Sequence, residues 1–147
     1  MDEIEHRDGM DDTEPIKEAD ADFFKVLESL DVEAIMECWA YEEPVSLLFP
    51  GVDIALERKM VEAQWEIVVN YTRELKTMLT HASVLRKGDM GFSFLTGRIM
   101  STHGDETLTV EVYITNVYKL EEREWKLVHH HTTPAPHQPP FFEQRLN

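Results

Sequence analysis

The period of the apolar residues changes once along this chain, and that change limits what it can fold into more than any other feature. Up to about residue 74 the apolar side chains recur at three- and four-residue steps, the spacing that loads one face of a helix. Ile16, Ala19, Phe23, Val26, Leu27 and Leu30 form a first stripe, with Thr13 placed to cap it and Pro15 in its first turn. Asp31 is placed to cap a second, short helix that carries Val32, Ile35, Met36 and Trp39 inward and ends near Tyr41. Pro44 to Pro50 reads as a short strand bounded by prolines, and Gly51 as a turn. Leu56 to Glu74 then reads as a long helix with Met60, Val61, Trp65, Val68 and Val69 inward. Beyond it, Lys87-Gly88-Asp89, His103-Gly104-Asp105 and the polar Glu121 to Glu124 separate four apolar stretches, which predicts a four-stranded antiparallel meander. In its third strand Val110, Val112, Ile114, Asn116, Tyr118 and Leu120 alternate with Thr109, Glu111, Tyr113, Thr115, Val117 and Lys119. One face is apolar and turned to the helices. The fold class is α+β, a cone in which a curved sheet wraps the helices and leaves a hollow.

Length allows one domain, assigned to residues 13–135 of the 147. The formal charge of -15 is concentrated at one end: residues 1 to 22 hold ten acids against Arg7 and Lys17, a net of -8. Such self-repulsion predicts a solvated, mobile acidic arm over residues 1–12. Residues 136–147 read as an extended tail, since four of the seven prolines stand from Pro134 onward; Phe141 and Phe142 within it are candidates to dock on a neighbouring subunit. The acidic balance repels phosphate backbones and anionic membranes, so neither nucleic acid nor membrane is expected as a partner. No apolar run is long enough to span a bilayer, and the acidic N-terminus is unlike a secretory signal, which points to a soluble, cytoplasmic protein. The lone Cys38 forms no intramolecular disulfide and lacks any neighbour that would activate it, so it reads as a buried, inert thiol.

The segment Trp125-Lys126-Leu127-Val128-His129-His130-His131-Thr132-Thr133-Pro134 resembles the Trp-x-x-Val-His-x-His-x-Ser ending of SnoaL-like domains. The association domain of calcium/calmodulin-dependent protein kinase II ends in the same way, and both families share the nuclear transport factor 2-like fold. The resemblance extends from about Asp20 to Pro136 and includes the Phe49-Pro50-Gly51 step and Trp65. It implies the cone and an oligomer more firmly than an activity, because this fold serves isomerases, dehydratases, cyclases, adaptors and oligomerisation hubs. Where the kinase association domain carries cavity arginines, the aligned positions here are Gly97, Asn116 and Thr132. That removes a carboxylate-binding cluster, and strict alternation sends the adjacent Arg98 to the other face. Leu56 stands where a glycine often opens the long helix.

Histidine is the commonest metal ligand, yet on a strand His129 and His131 share one face and His130 takes the other. No three of them reach one ion, and Glu111 or His81 would be needed to complete a site; no metal and no other cofactor is expected. The resemblance makes His129 and His131 a structural signature on the convex face or at a subunit contact. By alternation His130 shares the hollow with Val128 and Thr132, beside Asn116 and Tyr118 of the neighbouring strand. These are the candidate site residues, with His130 and Tyr118 the candidate acid–base pair. Against catalysis stands the lack of an acid on the inner face of the third strand, where Glu111 points outward. Trp39, Tyr41, Trp65 and Phe49 sit near the mouth of the cone. They are core residues or a stacking surface for a flat ligand, and Trp39, Tyr41 and Trp65 join the ligand-binding set.

Two functions follow. One is a non-catalytic oligomerising domain with an internal small-molecule cavity, assembled through Phe92, Phe94, Tyr113, Thr115, Val117, His129 and His131 on the outer face. The other is a small-molecule isomerase, dehydratase or cyclase working through His130, Tyr118 and Asn116. An adaptor role for the acidic arm rests on charge alone.

Overall fold

The computed structural model describes residues 12–136; the predicted arm up to residue 11 and the tail beyond Pro136, with Phe141 and Phe142, lie outside the described residues. Helix α1 spans Glu14–Glu28 and α2 Val32–Glu37; strand β1 is Ser46–Leu48, and helix α3 covers Arg58–Tyr71. Four long strands follow, β2 Glu74–Lys87, β3 Met90–His103, β4 Glu106–Glu121 and β5 Glu124–Pro134. The predicted meander is present, and β1 extends it, pairing in parallel with β5 to give a five-stranded, curved, open sheet in the order β1-β5-β4-β3-β2.

The ends of the helices show which local signals decided. Asp31 caps α2 through Oδ1, which accepts from the backbone amides of Glu33 at 3.1 Å and Ala34 at 3.3 Å. At α1 the side chain of Thr13 makes no capping bond, and Asp12 Oδ1 accepts from the Glu14 amide at 3.0 Å instead. The long helix is shorter than its periodicity predicts. It begins at Arg58, leaving Leu56 exposed before it, and ends at Tyr71 because the chain turns directly into β2. Arg58 is held there by the end of α2: its guanidinium donates to the carbonyls of Met36, Trp39 and Ala40 at 2.8, 3.0 and 3.0 Å.

α1 lies across the concave face and buries Ile16, Phe23, Phe24 and Leu27 against Leu95, Ile114 and Tyr118. Two glycines allow this closeness. A side chain at Gly91 would collide with Ile16. Gly97, at φ +153°, has no room for a Cβ against the Met78 carbonyl where β2 and β3 bend together. Two bulges break the alternation, one between His81 and Ser83 in β2 and one in β5 opposite Val117 and Tyr118. The second corrects an expectation: Leu127, fully buried, pairs with Tyr118 on the inner face where alternation placed Val128. The cause is the backbone clasp from the end of α2, in which Leu127 N–H donates to Cys38 O at 2.8 Å and Leu127 O accepts from Ala40 N–H at 2.9 Å. Among the described residues no helix is long and apolar enough to cross a membrane.

Candidate functional site: a cavity backed by a buried carboxylate

The hollow is a cavity of about 440 Å³ between α1, α3 and the sheet. Its walls are mainly apolar, with Phe24, Leu27, Phe49, Trp65, Val112 and Ile114 among them, while His130 and Thr132 supply polar groups on the β5 side. Trp65 stacks on Phe49 with ring centroids 5.4 Å apart, and the His130 ring lies 6.0 Å from Trp65 and 5.5 Å from Phe23. The indole N–H of Trp65 is buried and has no hydrogen-bond partner among the described residues.

Behind His130 runs a chain of hydrogen bonds. Its Nδ1 lies 2.6 Å from Asn116 Oδ1 and its Nε2 lies 2.8 Å from Thr132 Oγ1. Asn116 Nδ2 in turn donates to Asp20 Oδ1 at 2.9 Å, Tyr118 O–H donates to the same oxygen at 2.5 Å, and Asp20 Oδ2 meets His81 Nε2 at 2.6 Å. Asp20 is the inward acid that the third strand lacks, and it comes from α1. The sequence carried the signal: residues 16, 20, 23 and 27 form one buried helical stripe, and a carboxylate in such a stripe needs buried donors. Asp20 is 1% exposed, so each donor offsets desolvation that would otherwise be prohibitive.

Burial also sets the protonation of the neighbours. It pushes His130 down to about 3, aided by the nearby His129 and His131, so the imidazole is neutral at physiological pH. It pushes the Tyr118 phenol well above its ordinary range, and the charge of Asp20 adds to that shift. A neutral imidazole this hard to protonate is a poor general base and a good fixed hydrogen-bonding group.

The structure brings Trp65, His130 and Thr132 together on the cavity wall, while Asn116 and Tyr118 stand behind it, bonded to Asp20. Two predicted ligand residues lie elsewhere. Trp39 is fully buried core bridging to Leu127, and Tyr41 is 61% exposed beneath the Arg58 guanidinium, 3.8 Å from its ring centroid. On the outer face the register aligns Phe92, Val117 and His129 in one row and Phe94, Thr115 and His131 in the next, with Tyr113 opposite Thr133. His129 Nδ1 lies 2.7 Å from Ser46 Oγ. His81, considered in the sequence only as a metal partner, is instead the partner of Asp20. Together they line a second cavity of about 320 Å³ between α1 and β2. Among the described residues no group of three histidine, cysteine or acidic side chains is placed to hold a metal ion.

Comparison with known proteins decides the family: the sequence profile of the SnoaL-like domain matches residues 16–136. The chain is a SnoaL-like domain. No curated protein matches it. Among solved structures, this SnoaL-like chain resembles a proposed dehydratase of the nuclear transport factor 2-like family from Streptomyces avermitilis. The two are 26% identical at a TM-score of 0.78, over 84% of this chain and 96% of that one. A proposed calcium/calmodulin-dependent protein kinase type II association domain from Thiobacillus denitrificans is 24% identical at a TM-score of 0.67, covering 80% and 92%. A ketosteroid isomerase-like protein from Erwinia carotovora atroseptica superimposes at 0.72 with 13% identity, covering 86% and 97%. The last two likenesses carry the fold alone.

Proposed function

We propose that this SnoaL-like domain is a non-catalytic, self-associating binder of a flat apolar small molecule held in the cone. The observation that carries the reading is the 440 Å³ cavity, whose stacked Phe49 and Trp65 supply an aromatic wall and whose His130 and Thr132 supply a polar anchor. Its volume suits a compound of two or three fused rings. Saturation-transfer NMR and calorimetry with 2-naphthol test it. We expect one molecule bound per chain and loss of binding in Val68→Trp, which fills the cavity; a wild-type protein that takes up no ring compound of this size refutes the reading. Self-association is supported by the outer face, where Phe94 in the second row and Tyr113 in the row beyond it are each more than a third exposed. Sedimentation at micromolar concentration is expected to give a dimer or larger assembly that Phe94→Lys weakens; a monomer in the wild type ends this part of the proposal.

One observation favours the catalytic alternative, an isomerase, dehydratase or cyclase. Asp20 and His81 form a carboxylate–imidazole pair at 2.6 Å that opens on the second cavity, the arrangement that orients a general base. In this reading the dyad, rather than His130 and Tyr118, moves the proton. Deuterium uptake from D2O at carbons next to a carbonyl, across a panel of small ketones and aldehydes, distinguishes it. Uptake lost in His81→Gln supports chemistry, and none in the wild type leaves binding as the function.

A further inference from the structure

The hydrogen-bond chain behind His130 has a direction, and the direction is set at Asp20. Oδ1 of that carboxyl group takes donors from two sides, Asn116 at 2.9 Å and Tyr118 at 2.5 Å. An amide has one donor end and one acceptor end, so with Nδ2 turned to Asp20 its Oδ1 must face His130. The imidazole nitrogen 2.6 Å from that oxygen therefore carries the proton: Nδ1–H donates to Asn116. A neutral ring has only one N–H, which leaves Nε2 with a bare lone pair, and the Thr132 hydroxyl at 2.8 Å spends its proton on it. Burial keeps the ring neutral, so the second proton that would reverse this polarity is not available near neutral pH.

We propose that the cavity selects a ligand bearing a hydroxyl group, alcoholic or phenolic, and rejects the same skeleton carrying a carbonyl, carboxylate or ether at that place. This deepens the proposed binding function and rests on it. A ligand hydroxyl gives its proton to His130 Nε2 or to the lone pair of Thr132 Oγ1, and each route needs a donor. Its own oxygen remains free to accept the indole N–H of Trp65, whose ring lies beside His130 and which has no other partner among the described residues. A carbonyl or ether oxygen satisfies Trp65 alone and sets its lone pairs against those of Thr132 Oγ1, whose proton is already committed to the one lone pair of Nε2. Relief through Thr132, turning its hydroxyl to the ligand, strips a buried nitrogen of its hydrogen bond. Relief through the ring requires Nε2–H, hence a reversed Asn116 amide with its oxygen against Asp20 Oδ1. Asp20 and Asn116 are thus positioning residues for specificity, with His130, Thr132 and Trp65 the reading groups.

Two measurements test this. The first needs no ligand: long-range 1H–15N correlation on the full-length wild-type protein reports which nitrogen of His130 holds the proton. Protonated Nδ1 with unprotonated Nε2 is expected, and the opposite pattern overturns the proposal whatever binds. The second is calorimetry with 2-naphthol, 2-methoxynaphthalene and 2-fluoronaphthalene, which share a skeleton and differ in the donor. We expect 2-naphthol to bind at least tenfold more tightly than the other two. In Asp20→Asn, where residue 20 presents either end of an amide, the ratio should fall to about threefold or less. Equal affinities in the wild type overturn the donor rule and leave the cavity reading standing, whereas failure of all three to bind removes the cavity reading and leaves the tautomer measurement to decide the polarity. If Asp20→Asn does not fold, Thr132→Val, which deletes the competing hydroxyl, is expected to keep or raise the preference for 2-naphthol; a preference for 2-methoxynaphthalene there counts against the proposal.

Discussion

Lowering the pH from 7.5 to 5.0 should cost this protein about 2 kcal/mol of stability through His130 alone. The ring is buried and held down to about 3, while in the unfolded chain it titrates at its ordinary 6.5. A depressed folded value means that the unfolded state binds more protons between those limits, so stability rises with pH across the window and is lost as pH falls below 6.5. At pH 5 the unfolded ring lies about 1.5 decades below its midpoint and the folded ring is still neutral. At about 1.36 kcal/mol per decade the difference is about 2 kcal/mol. This magnitude depends almost wholly on the unfolded value, because at pH 5 the folded ring is far from titrating. Other groups titrate in the same range, so the assay is a comparison: urea unfolding of wild type and His130→Gln at both pH values. The variant keeps a polar group against Asn116 and cannot titrate. Wild type should lose about 2 kcal/mol more than the variant on going to pH 5. A difference of differences below about 0.5 kcal/mol would show that the buried ring accepts a proton in place and would refute the reasoning.

Removing the carboxylate in Asp20→Ala deprives Tyr118, Asn116 and His81 of their shared acceptor, and urea unfolding at pH 7.5 should show a loss of about 3 kcal/mol or more; a loss under about 1 kcal/mol would mean the network is dispensable. Gly97→Ala places a Cβ against the Met78 carbonyl at a φ that favours glycine, and a melting curve should show about 2 kcal/mol of destabilisation, against little change for Ala82→Gly at the neighbouring bulge. Burial raises the Cys38 thiol to about 11, so Ellman's reagent at pH 8 should react at least tenfold faster after unfolding in urea than with the native chain.

Much of the cone was legible because its signals are local. The switch from helical to alternating periodicity located α1, α3 and the four long strands, and Asp31 announced its cap by position alone. The short strand between Pro44 and Pro50 is there as β1, although its pairing with β5 lies in no window of sequence. The errors were decided by distant parts of the chain. Leu127 displaces Val128 from the inner face because Cys38 and Ala40, nearly ninety positions earlier, hold its amide and carbonyl. Tyr41 does not reach the cavity: its ring lies against the Arg58 guanidinium and is largely exposed.

Asp20 is the instructive omission, because its signal was present and was outweighed. Alternation names each residue's face along the sheet, and β4 offers no inward acid. In helix α1 the apolar residues make the stripe, yet the one residue that breaks it carries the chemical information. A carboxylate flanked by Ile16 and Phe23 on a buried face either unfolds the helix or finds donors, and it finds them in Asn116 and Tyr118, both candidates from the sequence, and in His81. Once the acid is placed, the roles of these side chains change: Tyr118 and Asn116 are spent on Asp20, and His130 becomes a neutral ring of fixed polarity. What this network leaves uncommitted beside the cavity is the lone pairs of Thr132 Oγ1 and the buried, unpartnered indole N–H of Trp65, and a neutral ring of fixed polarity between them suits hydrogen bonding better than proton transfer.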